Sequence, residues 1–303
     1  MRLKIILSTV LMSVFAMGVH AQQIFKISNF TQHNFLYNPA ASGANDRASV
    51  GMVYRSMWSG IAGGPKTEII YGDKYFAAKK VGVSAVIYND VTGPTSRSGG
   101  NVNLSYSVDF ENGQRLMFGL GGQVLQFRVD KAQITDALSS NGIDPLLAGS
   151  GTTVKGDADA GVYYKSNKLN VGISAMQLIQ TKLDLIKGTS GTDNQGKLYR
   201  HYFLMADYNW QVDDADVLVP NILIKYLPNS PTEFEGGVRL EHQKLIWVGF
   251  NYHYKQDVTG YIGINATKDL SIGYSFDHYN QPLNTFDGGN NAHELFLRYF
   301  FGK

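Results

Sequence analysis

The stretch Asn101–Phe110 is apolar at every second position: Val102, Leu104, Tyr106, Val108 and Phe110 alternate with Asn101, Asn103, Ser105, Ser107 and Asp109. Side chains of a β-strand point alternately to its two faces, so this segment has one apolar wall and one polar wall. The same period runs from Arg47 to the end and predicts about fourteen strands, each roughly ten residues long, as a tilted membrane strand requires. Strand two, Lys66 to Tyr75, is the least regular. Pro220 interrupts the ninth strand and predicts a bulge there, because proline removes a ladder hydrogen bond.

The connections sort by parity. Those after even strands are short (Ala77–Lys80, Glu111–Gly113, Ser166–Lys168, Gln211–Ala215, Glu241–Gln243, Thr267–Asp269). Several after odd strands are long and polar (Asn89–Gly100, Asp130–Val154, Ile179–Lys197, Asn280–Asn291), although Leu227–Pro231 and Lys255–Gln256 are short. Outer-membrane barrels combine tight periplasmic turns with longer outside loops, which places both termini in the periplasm. Aromatic residues fall at strand ends on the apolar face. Phe110, Tyr164, Tyr208, Trp210, Tyr299 and Phe301 mark one end, and Tyr54, Tyr226, Tyr252 and Tyr254 the other, as two lipid interfaces favour. A soluble sandwich or propeller would alternate too, but predicts neither girdles nor loop asymmetry, and no blade-length repeat is present. The expected fold is an all-β, transmembrane, antiparallel up-and-down barrel.

Residues 1–21 read as an export signal, with Arg2 and Lys4 before an apolar run and Val19-His20-Ala21 before Gln22. Residues 22–45 have no steady period and carry turn chemistry from Tyr37 to Gly43; they are expected to sit at the barrel mouth or partly fill it. Residues 46–303 form the barrel, and the outer membrane is the expected location. The 303 residues carry a formal charge of only +2, without a basic run interleaved with aromatics, so nucleic acid is not an expected partner. The absence of cysteine excludes disulfides, thiolate metal sites and cysteine nucleophiles.

No catalytic set, metal site or cofactor is predicted. Gly119-Leu120-Gly121-Gly122 lies within a strand and opens no helix, so it is no phosphate cradle. Asp277 and His278 are adjacent in a strand and point to opposite faces, which disfavours a triad with Ser275. Inward charges are the more informative group: Arg55, Asp157, Asp159, Asp207, Lys225, Glu233, Glu235, Arg239, Glu294 and Arg298. Their mixed signs suit bracing of a narrow lumen, or lining of a polar conduit or binding of a peptide by some of them.

Asn38-Pro39-Ala40-Ala41-Ser42-Gly43, Tyr54-Arg55, Trp58-Ser59-Gly60 and Gly63-Gly64-Pro65-Lys66-Thr67 together resemble the PorP/SprF family of type IX secretion membrane proteins. The matching elements are N-P-A-x-x-G, Y-R-x-x-W-x-G and G-x-P-x-T, with Met57 where the family often has Gln. The resemblance implies an outer-membrane barrel without enzymatic activity that works with the type IX secretion machinery. Implied partners are the C-terminal domain of a secreted surface protein of the gliding-adhesin kind, periplasmic lipoproteins and the surrounding lipid. Asn38, Pro39, Gly43, Tyr54, Arg55, Trp58, Gly60, Pro65 and Thr67 are the partner-binding candidates on that footing. A passive pore or a FadL-like lipophile transporter is the alternative. Asn101, Asn103, Ser105, Ser107 and Asp109 are expected to line the interior, so a charge at Leu104 should impair assembly by about 2–4 kcal/mol near mid-membrane, whereas one at Ser105 should be tolerated.

Overall fold

The structure is a computed structural model that describes residues 24–130, 151–183 and 196–302. The expected export signal, residues 1–21, and most of the loops Asp130–Val154 and Ile179–Lys197 lie outside the described residues. Fourteen antiparallel strands follow one another around a closed sheet: β1 (Ala48–Ser56), β2 (Lys66–Phe76), β3 (Val81–Thr92), β4 (Thr95–Asp109), β5 (Arg115–Val129), β6 (Thr152–Lys165), β7 (Leu169–Met176), β8 (His201–Tyr208, continued by Trp210–Gln211), β9 (Asp216–Tyr226), β10 (Glu233–His242), β11 (Ile246–His253), β12 (Asp257–Asn265), β13 (Leu270–Tyr279) and β14 (Ala292–Phe301). The last strand pairs with the first, from Ala48 opposite Phe301 to Ser56 opposite His293, so no edge is left unpaired.

Alternation decides the wall. Val102, Leu104, Tyr106 and Val108 of β4 are exposed outward beside Leu120 and Phe118 of β5, while Asn103, Ser105 and Ser107 are buried inside. The expected aromatic ends are exposed as well, including Phe110, Tyr208, Trp210 and Phe301 at one rim and Tyr54, Tyr226, Tyr252 and Tyr254 at the other. Connections at the first rim take three to five residues. Those at the opposite rim are uneven and include a short helix, α1 (Leu283–Phe286).

Three expectations change. Asn89–Gly100 is not a loop: β3 and β4 continue through it and turn at Gly93-Pro94. The alternation fades there because the outward row Glu68, Asn89 and Ser98, adjacent across three strands, is polar. Ser98 Oγ donates to Asn89 Oδ1 at 2.8 Å, a row suited to water above the apolar band. Pro220 causes no bulge, since β9 keeps one register with β10 from Asp216 opposite His242 to Lys225 opposite Glu233. The missing N–H is absorbed on the other side, where pairing with β8 lapses beside Asn209 and resumes in the same register at Leu218 opposite Trp210. Strand β2 is regular; its sequence looked irregular because Ile69 and Tyr71 are buried on the lumen side while Ile70 faces outward.

Candidate functional site

The lumen is filled by residues 24–45. From Ile24 in the long-loop half of the barrel, the chain passes through three short 3-10 turns (Phe30–Gln32, Asn34–Leu36, Pro39–Ala41) and leaves at the short-turn rim near Asp46. Ile27, Phe30, Phe35, Leu36 and Tyr37 are buried in one cluster with lumen-facing Ile69, Tyr71, Met117, Phe203, Trp247 and Phe296. Burial of such apolar side chains contributes about 1.5–3 kcal/mol each. His33 is buried and lies edge-on to Tyr71 and Phe296.

Lumen-facing glycines set how closely this inner segment approaches the wall. Gly82 of β3, Gly119 of β5, Gly161 of β6 and Gly172 of β7 each lie where a Cβ would collide with Ser42, Ala40 or Asn38. Over that bare patch the Asn38 amide donates to Val162 O at 3.1 Å and Ile173 O at 3.2 Å, and its Oδ1 accepts from Ala40 N at 2.9 Å. Pro39 follows at the first position of the turn, where its missing N–H costs nothing. Ser42 Oγ lies 2.8 Å from Ser84 Oγ, and Ser105 Oγ donates to Ser42 O at 2.6 Å. Gly43, at φ +70, donates to Asp73 Oδ1 at 2.6 Å, with a backbone conformation that glycine adopts without strain.

The other end of the segment is latched by charge. Arg55 is 1% exposed and pairs with Asp277 and with Glu294, the latter at 3.2 Å. Ser28 joins both acids: its N–H donates to Glu294 Oε2 at 2.8 Å and its Oγ to Asp277 Oδ1 at 2.9 Å, while Arg55 donates to that same Oγ. Lys26 Nζ lies 2.6 Å from Asp257, whose other oxygen is 2.7 Å from His253; the second ring nitrogen of His253 is 2.6 Å from Glu235. Buried charges of this kind require partners, and here each partner is supplied by the segment or by a neighbouring strand.

The motif residues therefore do not form one site. Asn38, Pro39 and Gly43 dock the inner segment, Arg55 latches it, and Tyr54 faces outward. Trp58, Gly60 and Pro65 shape the β1–β2 connection at the opposite rim, where Gly60 N donates to Asp287 Oδ1 at 2.8 Å and Met57 N to Pro65 O at 2.8 Å. Thr67 Oγ1 donates to Asp90 at 2.7 Å on the lumen side. The inward charges are braced individually. Asp157 and Asp159 accept from the backbone of residues 177–181, Asp207 from Asn170, and Lys225 pairs with Glu233 at 3.1 Å. Arg239 and Arg298 reach Thr31 and Gln32 of the inner segment. Sequence reasoning missed Lys26, Ser28, His253 and Asp257 as latch residues. Asp277 was weighed only as a triad member, and it and His278 do fall on opposite faces. The available signal was a lone lysine in a largely apolar stretch opposite acids on the polar face of β12 and β13.

At the short-turn rim the inner segment floors an open polar bowl of about 360 Å³. Its lining includes Asn34, Lys165, Asn167, Asn170, Arg239 and Arg298.

The fold is that of bacterial outer-membrane barrels. The CymD monoaromatic hydrocarbon channel superposes with a TM-score of 0.52 at 9% identity, covering 93% of this chain and 100% of that one. The TodX deltaS2S3 mutant, also a monoaromatic hydrocarbon channel, gives 0.51 at 11% identity, with 88% and 92% covered. Omp33 of Acinetobacter baumannii gives 0.48 at 9% identity over 86% of this chain and 100% of that one. At such identities the likeness extends to the fold alone. No curated protein matches in sequence. The profile of the type IX secretion system membrane protein PorP/SprF family, however, matches residues 19–299, nearly the whole chain. A closed fourteen-strand barrel whose N-P-A-A-S-G turn is docked inside it is thus the form taken by a chain that belongs to the PorP/SprF family.

Proposed function

We propose that this barrel is a non-enzymatic, non-conducting docking component of type IX secretion, which helps export or anchor a cognate large cell-surface protein by binding its C-terminal secretion domain at the long-loop rim. The filled lumen carries this reading. A passive pore needs a continuous wet path, whereas here most of Ile27 to Ser42 is buried against the wall, the spaces beside its long-loop end amount to about 40 and 30 Å³, and the larger bowl at the short-turn rim is floored by the segment itself. Those volumes suit a few waters rather than a hydrocarbon ring or a sugar. With the interior committed to bracing, the rims are left as working surfaces.

Deletion of the gene tests the reading. Loss of surface display of one adhesin-type protein, with general type IX secretion intact, supports it. Loss of all type IX cargo instead favours linkage to the periplasmic machinery and its lipoproteins, a second reading that the polar bowl at the short-turn rim supports. Steady ion conductance of the purified wild-type protein in planar bilayers would overturn both in favour of a pore.

A further inference from the structure

The polar bowl holds more positive charge than its own acids neutralise. Lys165, Arg239 and Arg298 line it against Asp46 and Asp207. Asp46 is taken by Arg115 and Lys165, and Asp207 by Asn170. Arg298 is 4% exposed and, among the described residues, pairs with no carboxylate; its partners are Tyr71 OH at 2.8 Å and the side chain and carbonyl of Gln32. Arg239, 8% exposed, has its nearest acid, Glu241, at 3.8 Å, and its Nε is buried without a partner. Asn34 Oδ1 and Asn170 Oδ1 are likewise buried and unpartnered. Guanidiniums that no carboxylate approaches within hydrogen-bond distance, set among primary amides, match a peptide that carries a carboxylate, since amides pair with both backbone donors and acceptors. The volume lies within the roughly 300–1,000 Å³ typical of ligand pockets.

We propose that the bowl receives a carboxylate-bearing peptide segment of a periplasmic protein, with Arg239 and Arg298 taking the carboxylate and Asn34, Asn167 and Asn170 pairing with the peptide backbone. The proposal rests on reading the chain as a secretion component whose short-turn rim faces the periplasm. It gives that rim a function separate from cargo recognition at the other.

The test uses the mature full-length protein in detergent and a fluorescein-labelled peptide, Gly-Asn-Gly-Asp-Asp, with its neutral Gly-Asn-Gly-Asn-Asn amide as control. The acidic peptide should bind at least tenfold more tightly, and less so as salt is raised. R239Q should weaken it about tenfold. Because Arg239 also touches Thr31, the double variant N45D/N167D, confined to exposed positions at the mouth, should weaken binding comparably without disturbing the inner segment. Equal binding of both peptides, or unchanged binding in both variants, overturns the proposal. Tighter binding of soluble peptidoglycan fragments than of the acidic peptide also overturns it, by replacing a protein partner with cell wall. Failure here leaves the export phenotype of the gene deletion intact, whereas normal export after deletion removes the reading beneath it.

Discussion

Arg55 of β1 and Asp277 of β13 form an ion pair in the barrel interior, with Glu294 of β14 and Ser28 of the inner segment completing it. Removing one member of a buried charge set leaves the others uncompensated, at a cost of about 3–5 kcal/mol. Arg55→Met is therefore expected to free the N-terminal end of the segment. Single-channel recordings should show openings in the variant where the wild type stays closed, and the urea midpoint should fall. A silent variant with an unchanged midpoint would contradict the latch.

The glycine patch allows a paired comparison on one strand. At Gly119 a side chain would enter the space of Pro39 and Ala40, whereas at Gly122 a Cβ would meet nothing within 4 Å. Gly119→Val should destabilise the folded barrel by about 1–3 kcal/mol through overpacking. Gly122→Val, on the exposed face, should not. Urea titrations of both, followed by the gel shift of folded against unfolded protein, read the difference.

Ser42 and Ser84 offer a covalent check in a chain without native cysteine. Their hydroxyl oxygens are 2.8 Å apart, across the contact between the inner segment and β3. The S42C/S84C protein should oxidise to an intramolecular disulfide in the outer membrane, visible by thiol alkylation. Persistent free thiols would mean that the segment does not reside there.

Leu104 and Ser105 separate lipid from lumen, though not as the alternation alone suggests. Leu104→Arg places a charge on the lipid face and should cost about 2–4 kcal/mol near mid-membrane. Ser105→Asp is also expected to destabilise, because Ser105 is buried and donates to Ser42 O, where a carboxylate would face a carbonyl. Comparing assembled fractions of the two variants checks both expectations.

The wall was legible in the sequence because lipid imposes a strict two-residue period, and Val102, Leu104 and Tyr106 obey it. The interior was less legible, because its solvent is this chain's own N-terminal segment. Ile69, Tyr71 and Trp247 break the polar pattern of the inner face since they pack against that segment rather than against water. Gly82, Gly119, Gly161 and Gly172 could be placed on the lumen face, but nothing local says that backbone, rather than side chains, passes over them. The latch was harder still: Lys26 and Asp257 are separated by 231 positions, and only closure of the sheet brings them together.

That closure gives the latch a second meaning. Arg55 and Glu294 are direct cross-strand neighbours on the first and last strands, and Ser28 bonds to both. Arg298, four residues further along the last strand, also grips Gln32. Glu294 and Arg298 of the final strand complete their hydrogen bonding only with the inner segment in place. Sealing the cylinder and capturing its contents thus draw on the same residues, so a chain without its N-terminal segment is expected to hold its seam less firmly as well as to lose its filling.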